Sequence, residues 1–149
     1  MPSIFPTVPT EPLPVNELNQ KPVAFGRSVR FDYDRGEFIM TPTGKIAGST
    51  DTEAWMEWCQ KALNTQRYRY LVYSRNYGQE YDELIGRHLT REGNESEMIR
   101  MTTECLMVDP RTASVQAFAF KWEEDRVYFT CEVVSVRGET GQINGEVKM

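Results

Sequence analysis

No helix can continue through Asp109-Pro110-Arg111, and everything after it alternates with a period of two. Proline has no N–H and fixes φ, and the residue before it is pushed towards extended geometry. In Thr112–Trp122, Phe118, Phe120 and Trp122 share one parity, and Ala113, Val115, Ala117 and Ala119 the other. Two apolar faces predict a central strand covered on both sides. Glu123-Glu124-Asp125 is a turn. Arg126–Val136 then puts Val127, Phe129, Cys131 and Val133 on one face, with Thr130 and Glu132 opposite. Arg137-Gly138-Glu139-Thr140 turns again. Gln142–Lys148 has only Ile143 and Val147 as apolar residues, with Gly141 and Gly145 nearby, and reads as an edge strand with weakly pinned register. Residues 112–148 are therefore expected to form an antiparallel meander. Its last strand, Gln142, Ile143, Asn144, Gly145, Glu146, Val147 and Lys148, would leave N–H and C=O groups open to another chain.

Two helices precede the meander. Over 50–64, Thr50 with Glu53 makes a capping box, and Trp55, Trp58, Cys59, Ala62 and Leu63 form an apolar stripe. Over 91–107, Thr90 is the N-cap, and Met98, Met101, Thr102, Cys105 and Leu106 are the stripe. Residues 28–47 predict a small β unit: Val29, Phe31 and Tyr33 go out, Asp34-Arg35-Gly36 turns, and Phe38-Ile39-Met40 returns. Ile46 and Ala47 are expected to add a short third strand. Arg67–Arg75, rich in tyrosine and valine, predicts an amphipathic strand, and Glu80–Ile85 a helical turn with Tyr81, Leu84 and Ile85 inward. The fold class is α+β: two main amphipathic helices packed on a mainly antiparallel sheet.

Six of the eight prolines fall in the first 22 residues, so residues 1–27 read as an extended arm and 28–149 as a single domain. Ile4, Phe5, Val8, Leu13 and Val15 interleave with those prolines, which suits an arm that docks onto another surface. Across 149 residues, 17 Lys+Arg stand against 22 Asp+Glu, a balance that argues against general nucleic-acid binding. The arginines and tyrosines of residues 67–75 could stack on single-stranded nucleic acid, but the patch is short and the chain acidic. No apolar run approaches the ~20 residues of a membrane span, and Met1-Pro2-Ser3-Ile4 does not open a signal peptide. These features are those expected of a soluble protein made in a reducing cytoplasm. Cys59, Cys105 and Cys131 are widely spaced and fall on apolar faces, as buried thiols do. His88 is alone in a loop-like stretch, so neither a metal site nor a cofactor site is expected.

The order of segments carries a resemblance. A Trp-rich helix is followed by Tyr70-Leu71-Val72-Tyr73-Ser74-Arg75-Asn76-Tyr77-Gly78 and Asp82-Glu83-Leu84-Ile85-Gly86. Next come a helix ending Leu106-Met107-Val108-Asp109-Pro110-Arg111 and a meander containing Phe120-Lys121-Trp122 and Arg137-Gly138-Glu139-Thr140. Over roughly residues 23–149 this resembles the wedge, or sheath-initiator, family of contractile phage-tail baseplates, in its PBSX-like prophage subgroup. That family usually carries Glu-Pro-Arg where this chain has Asp109-Pro110-Arg111, a carboxylate one methylene shorter.

The resemblance implies a structural role in the virion tail baseplate, assembled in the host cytoplasm. Six copies would surround the hub and tube, joining the wedge subunits to the first ring of the tail sheath protein. Asp109, Pro110 and Arg111 would meet the helical core bundle of the wedge, and the terminal strands would add to the sheath. From the residues themselves, Arg111 is free either to point at a partner or to pair within the chain with Asp109 or a helix C-terminus. Some members of the family bear a lysozyme label. Glycoside cleavage needs paired carboxylates at a cleft, and Glu80/Glu83 or Glu92/Glu95 could supply a pair, but no segment sets an acid in an evident apolar pocket. The chain is therefore expected not to be an enzyme. A protein-interaction adaptor outside phage tails is the remaining alternative.

Overall fold

The structure is a computed structural model that describes residues 22–149. The residues of the arm that carry Ile4, Phe5, Val8, Leu13 and Val15 lie outside this range. Among the described residues the fold is α+β, with two helices and three antiparallel sheets.

The C-terminal sheet holds β5 (Thr112–Glu123), β6 (Arg126–Ser135) and β7 (Thr140–Lys148) in the order β5-β6-β7. The meander expectation stands, but the central strand is β6. It alternates fully: Val127, Phe129, Cys131, Val133 and Ser135 are buried. β5 lies at an edge, not at the centre as its two apolar parities predicted. The two apolar parities misled because the strand does not alternate through its length: it bulges between Gln116 and Ala119, with Ala117 at φ 55°. A second shift lies between Thr112 and Ser114, and the two together reverse the parity twice, so Thr112 and Val115 face the same core as Phe118, Phe120 and Trp122, while Ala113, Ala117 and Ala119 are exposed.

Helices α1 (Asp51–Leu63) and α2 (Arg91–Met107) cover the buried face. Trp55, Cys59, Ala62 and Leu63 of α1 meet Met98, Met101, Thr102, Cys105 and Leu106 of α2 above β6. Each large side chain removed from water there stabilises the fold by about 1.5–3 kcal/mol. Trp55 also donates from Nε1 to Thr112 Oγ1 at 2.9 Å, tying α1 to the start of β5. Two glycines allow the close approach of β7: a Cβ on Gly145 would enter the Phe129 ring, and one on Gly141 the Met56 thioether. Thr90 caps α2 by accepting from Gly93 N–H at 3.1 Å. Thr50 makes no such bond. It is also the last residue of β4 (Gly48–Thr50), paired with Arg27, and Glu53 bonds Arg30 at 2.7 Å instead of closing the box.

The N-terminal unit is slight. β1 (Arg27–Val29) pairs with β4, and β2 (Phe31–Asp32) with β3 (Glu37–Phe38). The third strand falls at 48–50, just beyond the Ile46-Ala47 expected, with Ile46 making only a bridge to Met40. The arm also ends earlier than residue 27, because Phe25 is buried against Trp55.

Residues 67–75 form no strand. They lie in a loop closed by a bridge between Gln66 and Gln79. Gly78 at φ 102° seals its base, where a Cβ would sit 2.7 Å from the Thr65 carbonyl. The pattern failed because the arginines are used locally: Arg67 Nε donates to the Arg75 carbonyl at 2.7 Å, and Arg67 and Arg69 lie over the rings of Tyr68 and Tyr70. The loop tip is left bare, with Leu71 at 105% and Val72 at 84% exposure. In the short 3-10 turn Tyr81–Leu84, Tyr81 and Leu84 point inward but Ile85 is exposed.

Candidate assembly interface

The turn after α2 is built around a buried carboxylate. Asp109 is 6% exposed and Arg111 wraps back onto it. Asp109 accepts from the Arg111 backbone N–H at 2.8 Å, from Nε at 2.9 Å and from Nη2 at 2.6 Å. The remaining terminal nitrogen, Nη1, donates to the Phe25 carbonyl at 2.7 Å, and the guanidinium lies 6.0 Å from the Trp58 ring centre. Of the two possibilities the sequence left open, the structure has the intrachain pair. Pro110 between them is exposed, as are Met107, Val108 and Val136, and Val136 N–H donates to the Arg111 carbonyl at 2.9 Å. What the triplet offers a neighbour is thus an apolar shoulder, with its charges spent on fixing the turn and on clamping the chain at Phe25.

β7 is the second element. The Met149 N–H donates to the Asp125 carbonyl at 2.7 Å, which fixes the phase of the antiparallel ladder. Odd residues of β7 bond to β6, and Gln142, Asn144, Glu146 and Lys148 turn their backbone groups outward. The Asn144 carbonyl accepts from Gln60 Nε2 of α1 at 3.1 Å, so a polar residue outside the apolar stripe of the helix closes the middle of this edge. Among the described residues, no further hydrogen bond reaches the outward backbone of Gln142 or Glu146. Ile143 and Val147 are buried in the core, and Gly145 lies under Phe129. A partner strand would therefore find backbone at the edge and the exposed side chains of Gln142, Asn144, Glu146 and Lys148. The bulged strand β5 leaves a second edge of the same sheet.

The third feature was not legible in the pattern. Between the N-terminal unit and α1 lies a groove of about 380 Å³, lined by Val29, Phe31, Tyr33, Phe38 and Trp58 together with the half-buried Glu57 and the exposed Lys61. Burial pushes the Glu57 carboxyl above its ordinary pKa, and the Tyr33 hydroxyl is pushed up to about 12 by the same cause. An acid in an apolar surrounding does exist here, contrary to the sequence expectation. The carboxylate that bears on it, Glu53, is tied to Arg30 at 2.7 Å. Three of the four acids considered for glycoside chemistry are engaged elsewhere, and the fourth, Glu92, is exposed: Glu80 faces Arg67, Glu83 pairs with Arg87 at 2.8 Å, and Glu95 accepts from Trp122 Nε1 at 2.8 Å. Cys59 and Cys131 are buried, and the thiols are pushed up to about 12 and about 11 by desolvation. His88 is exposed on the loop before α2.

Residues 27–138, from β1 to the turn before β7, match the family of the contractile injection system sheath initiator. The chain belongs to the sheath-initiator family. It is also 26% identical over 133 residues to the phage-like element PBSX protein XkdS of Bacillus subtilis (strain 168), covering 87% of this chain and 90% of that protein. The resemblance read from the segment order is therefore correct, and this sheath-initiator chain is a structural component of a contractile phage-type tail. The match takes in both helices and the Asp109-Pro110-Arg111 turn.

Proposed function

We propose that this sheath initiator sits in the tail baseplate, in six copies around the hub and tube, and joins the wedge subunits to the first ring of the sheath. Its work is mechanical coupling and passage of the contraction trigger, without chemical turnover or cofactor. The observation that carries this reading is the outward backbone of Gln142, Glu146 and Lys148 on a sheet locked to two helices. A sheath strand adds there by main-chain hydrogen bonding. Pro110 with Met107, Val108 and Val136 is the surface for the wedge core bundle, held in shape by Asp109 and Arg111. The N-terminal arm, through Ile4, Phe5, Val8 and Leu13, is a further docking element.

The test uses the phase of the ladder. Gln142→Pro removes an N–H that faces the open edge and spares the bonds to β6. Co-expressed with the sheath protein of the same particle, the wild type is expected to form a stable complex, and folded Gln142→Pro to lose it. Retention of the complex by the variant would move the sheath contact away from β7. The competing reading, cell-wall cleavage, predicts clearing of a peptidoglycan suspension that is lost on Glu57→Gln.

A further inference from the structure

The N-terminal unit carries more apolar surface than it can bury. Its strands are two or three residues long, yet Val29, Phe38, Ile39, Met40 and Ile46 are all exposed, and Val29 and Phe38 line the groove against α1. Two-stranded pieces of this size are marginal alone and need a cover. We propose that the groove is the docking surface for the chain's own N-terminal arm, with residues from Ile4 to Thr10 laid across Phe31, Phe38 and Trp58. This rests on the reading that the arm docks, and names the surface.

Three observations select that occupant. The first is chemistry: the arm alternates proline with Ile4, Phe5, Val8 and Leu13, and proline-rich segments are bound by grooves walled with aromatic rings. Phe31, Tyr33, Phe38 and Trp58 make such walls, with Phe31 and Phe38 edge to face at 5.1 Å. The second is attachment. Arg111 holds the Phe25 carbonyl and lies over Trp58, so one side chain links the root of the arm to the wall of the groove. The eleven residues Glu11–Lys21, at about 3.1 Å each when extended, supply roughly 34 Å of chain for the turn back. A tether that short holds the arm near the groove at roughly millimolar effective concentration. The third is charge. Ser3–Thr10 carries no ionisable side chain, and the groove's carboxyl, Glu57, is already disfavoured as an ion by burial. An uncharged apolar strip brings no second carboxylate beside Glu57, and the exposed Lys61 keeps its ammonium in water at the rim.

Hydrogen exchange on the full chain tests this. Wild type is compared with Phe5→Ser/Val8→Ser in the arm and with Phe38→Ser in the groove wall. The expected result is that amides of Ser28–Phe38 exchange at least about tenfold faster in the arm variant than in wild type, while those of β6 are unchanged. The difference should be the same at every protein concentration, and Trp58 should become more accessible to acrylamide in both variants. Unchanged exchange in the arm variant would overturn the proposal. If that variant also fails to enter tails, the arm docks on another protein and the general reading survives. Protection that rises with protein concentration would assign the groove to the arm of a second copy and overturn docking within one chain.

Discussion

The two β regions of this sheath initiator are opposites. In the meander, β6 pairs with β7 through nine successive positions and buries every second side chain under two helices. In the N-terminal unit, β2 and β3 share two pairs, and the residues they carry remain largely in water. The meander completes its own core and leaves only backbone edges unused. The N-terminal unit completes its backbone pairing and leaves side chains unused. A surface that needs a strand and a surface that needs an apolar cover ask for different partners, and one small chain presents both.

The sharpest break of this comparison is a pair of truncations of the same residue type. Phe129→Ala empties the centre of the core, where the ring also covers Gly145, and is expected to cost about 3–5 kcal/mol in denaturant unfolding. Phe38→Ala, on a surface ring that loses its contact with Phe31 and the cover of a docked arm, is expected to cost about 1 kcal/mol. Comparable costs would mean that the N-terminal unit is as self-sufficient as the meander. Next is Arg111→Ala. It strands the buried Asp109 carboxylate and frees Phe25, and a loss of roughly 3 kcal/mol is expected by the same measurement. From the sequence, an Arg111 aimed at a partner would leave stability unchanged; with the guanidinium already filled, unaltered unfolding would contradict the clamp. The smallest effect is Glu57→Gln. The folded-state pKa of Glu57 lies above its unfolded value because of burial. The folded state therefore holds the proton over the window between the two, and stability falls as pH rises through that window. Gln should thus raise the melting temperature slightly at neutral pH and leave it unchanged at pH values below the window. A destabilised variant at neutral pH would mean that the ionised carboxylate is a useful partner in the groove.

Much of the scaffold could be read from residues alone, and the failures have a common cause. The stripes of α1 and α2, the Thr90 cap and the inner face of β6 are local periodicities, and burial enforces them directly. Thr50 failed as a cap because a strand already claimed it, and Ile85 faces water because the turn ends before it. Arg67–Arg75 has the composition of a strand, but it pairs with no sheet edge and its arginines close a loop instead. In β5 two register shifts reversed the parity on which the two-faced assignment depended. Of the interface residues, the openness of β7 was legible from its thin apolar content. The capping of Asn144 by Gln60 and the grip of Arg111 on Phe25 join residues distant in sequence, and no pattern announces them.

By itself the sequence determined that this chain makes two amphipathic helices and a C-terminal meander, that a helix stops at Asp109-Pro110-Arg111, and which family the order of those segments resembles. These are consequences of period, proline and turn chemistry, which act over a few residues. Only the tertiary structure decided that β6 lies between two edges, that Arg111 turns inward, and that a groove stands open beside α1. Each of those depends on which distant groups meet, and a charge or an edge is settled by the nearest partner in space.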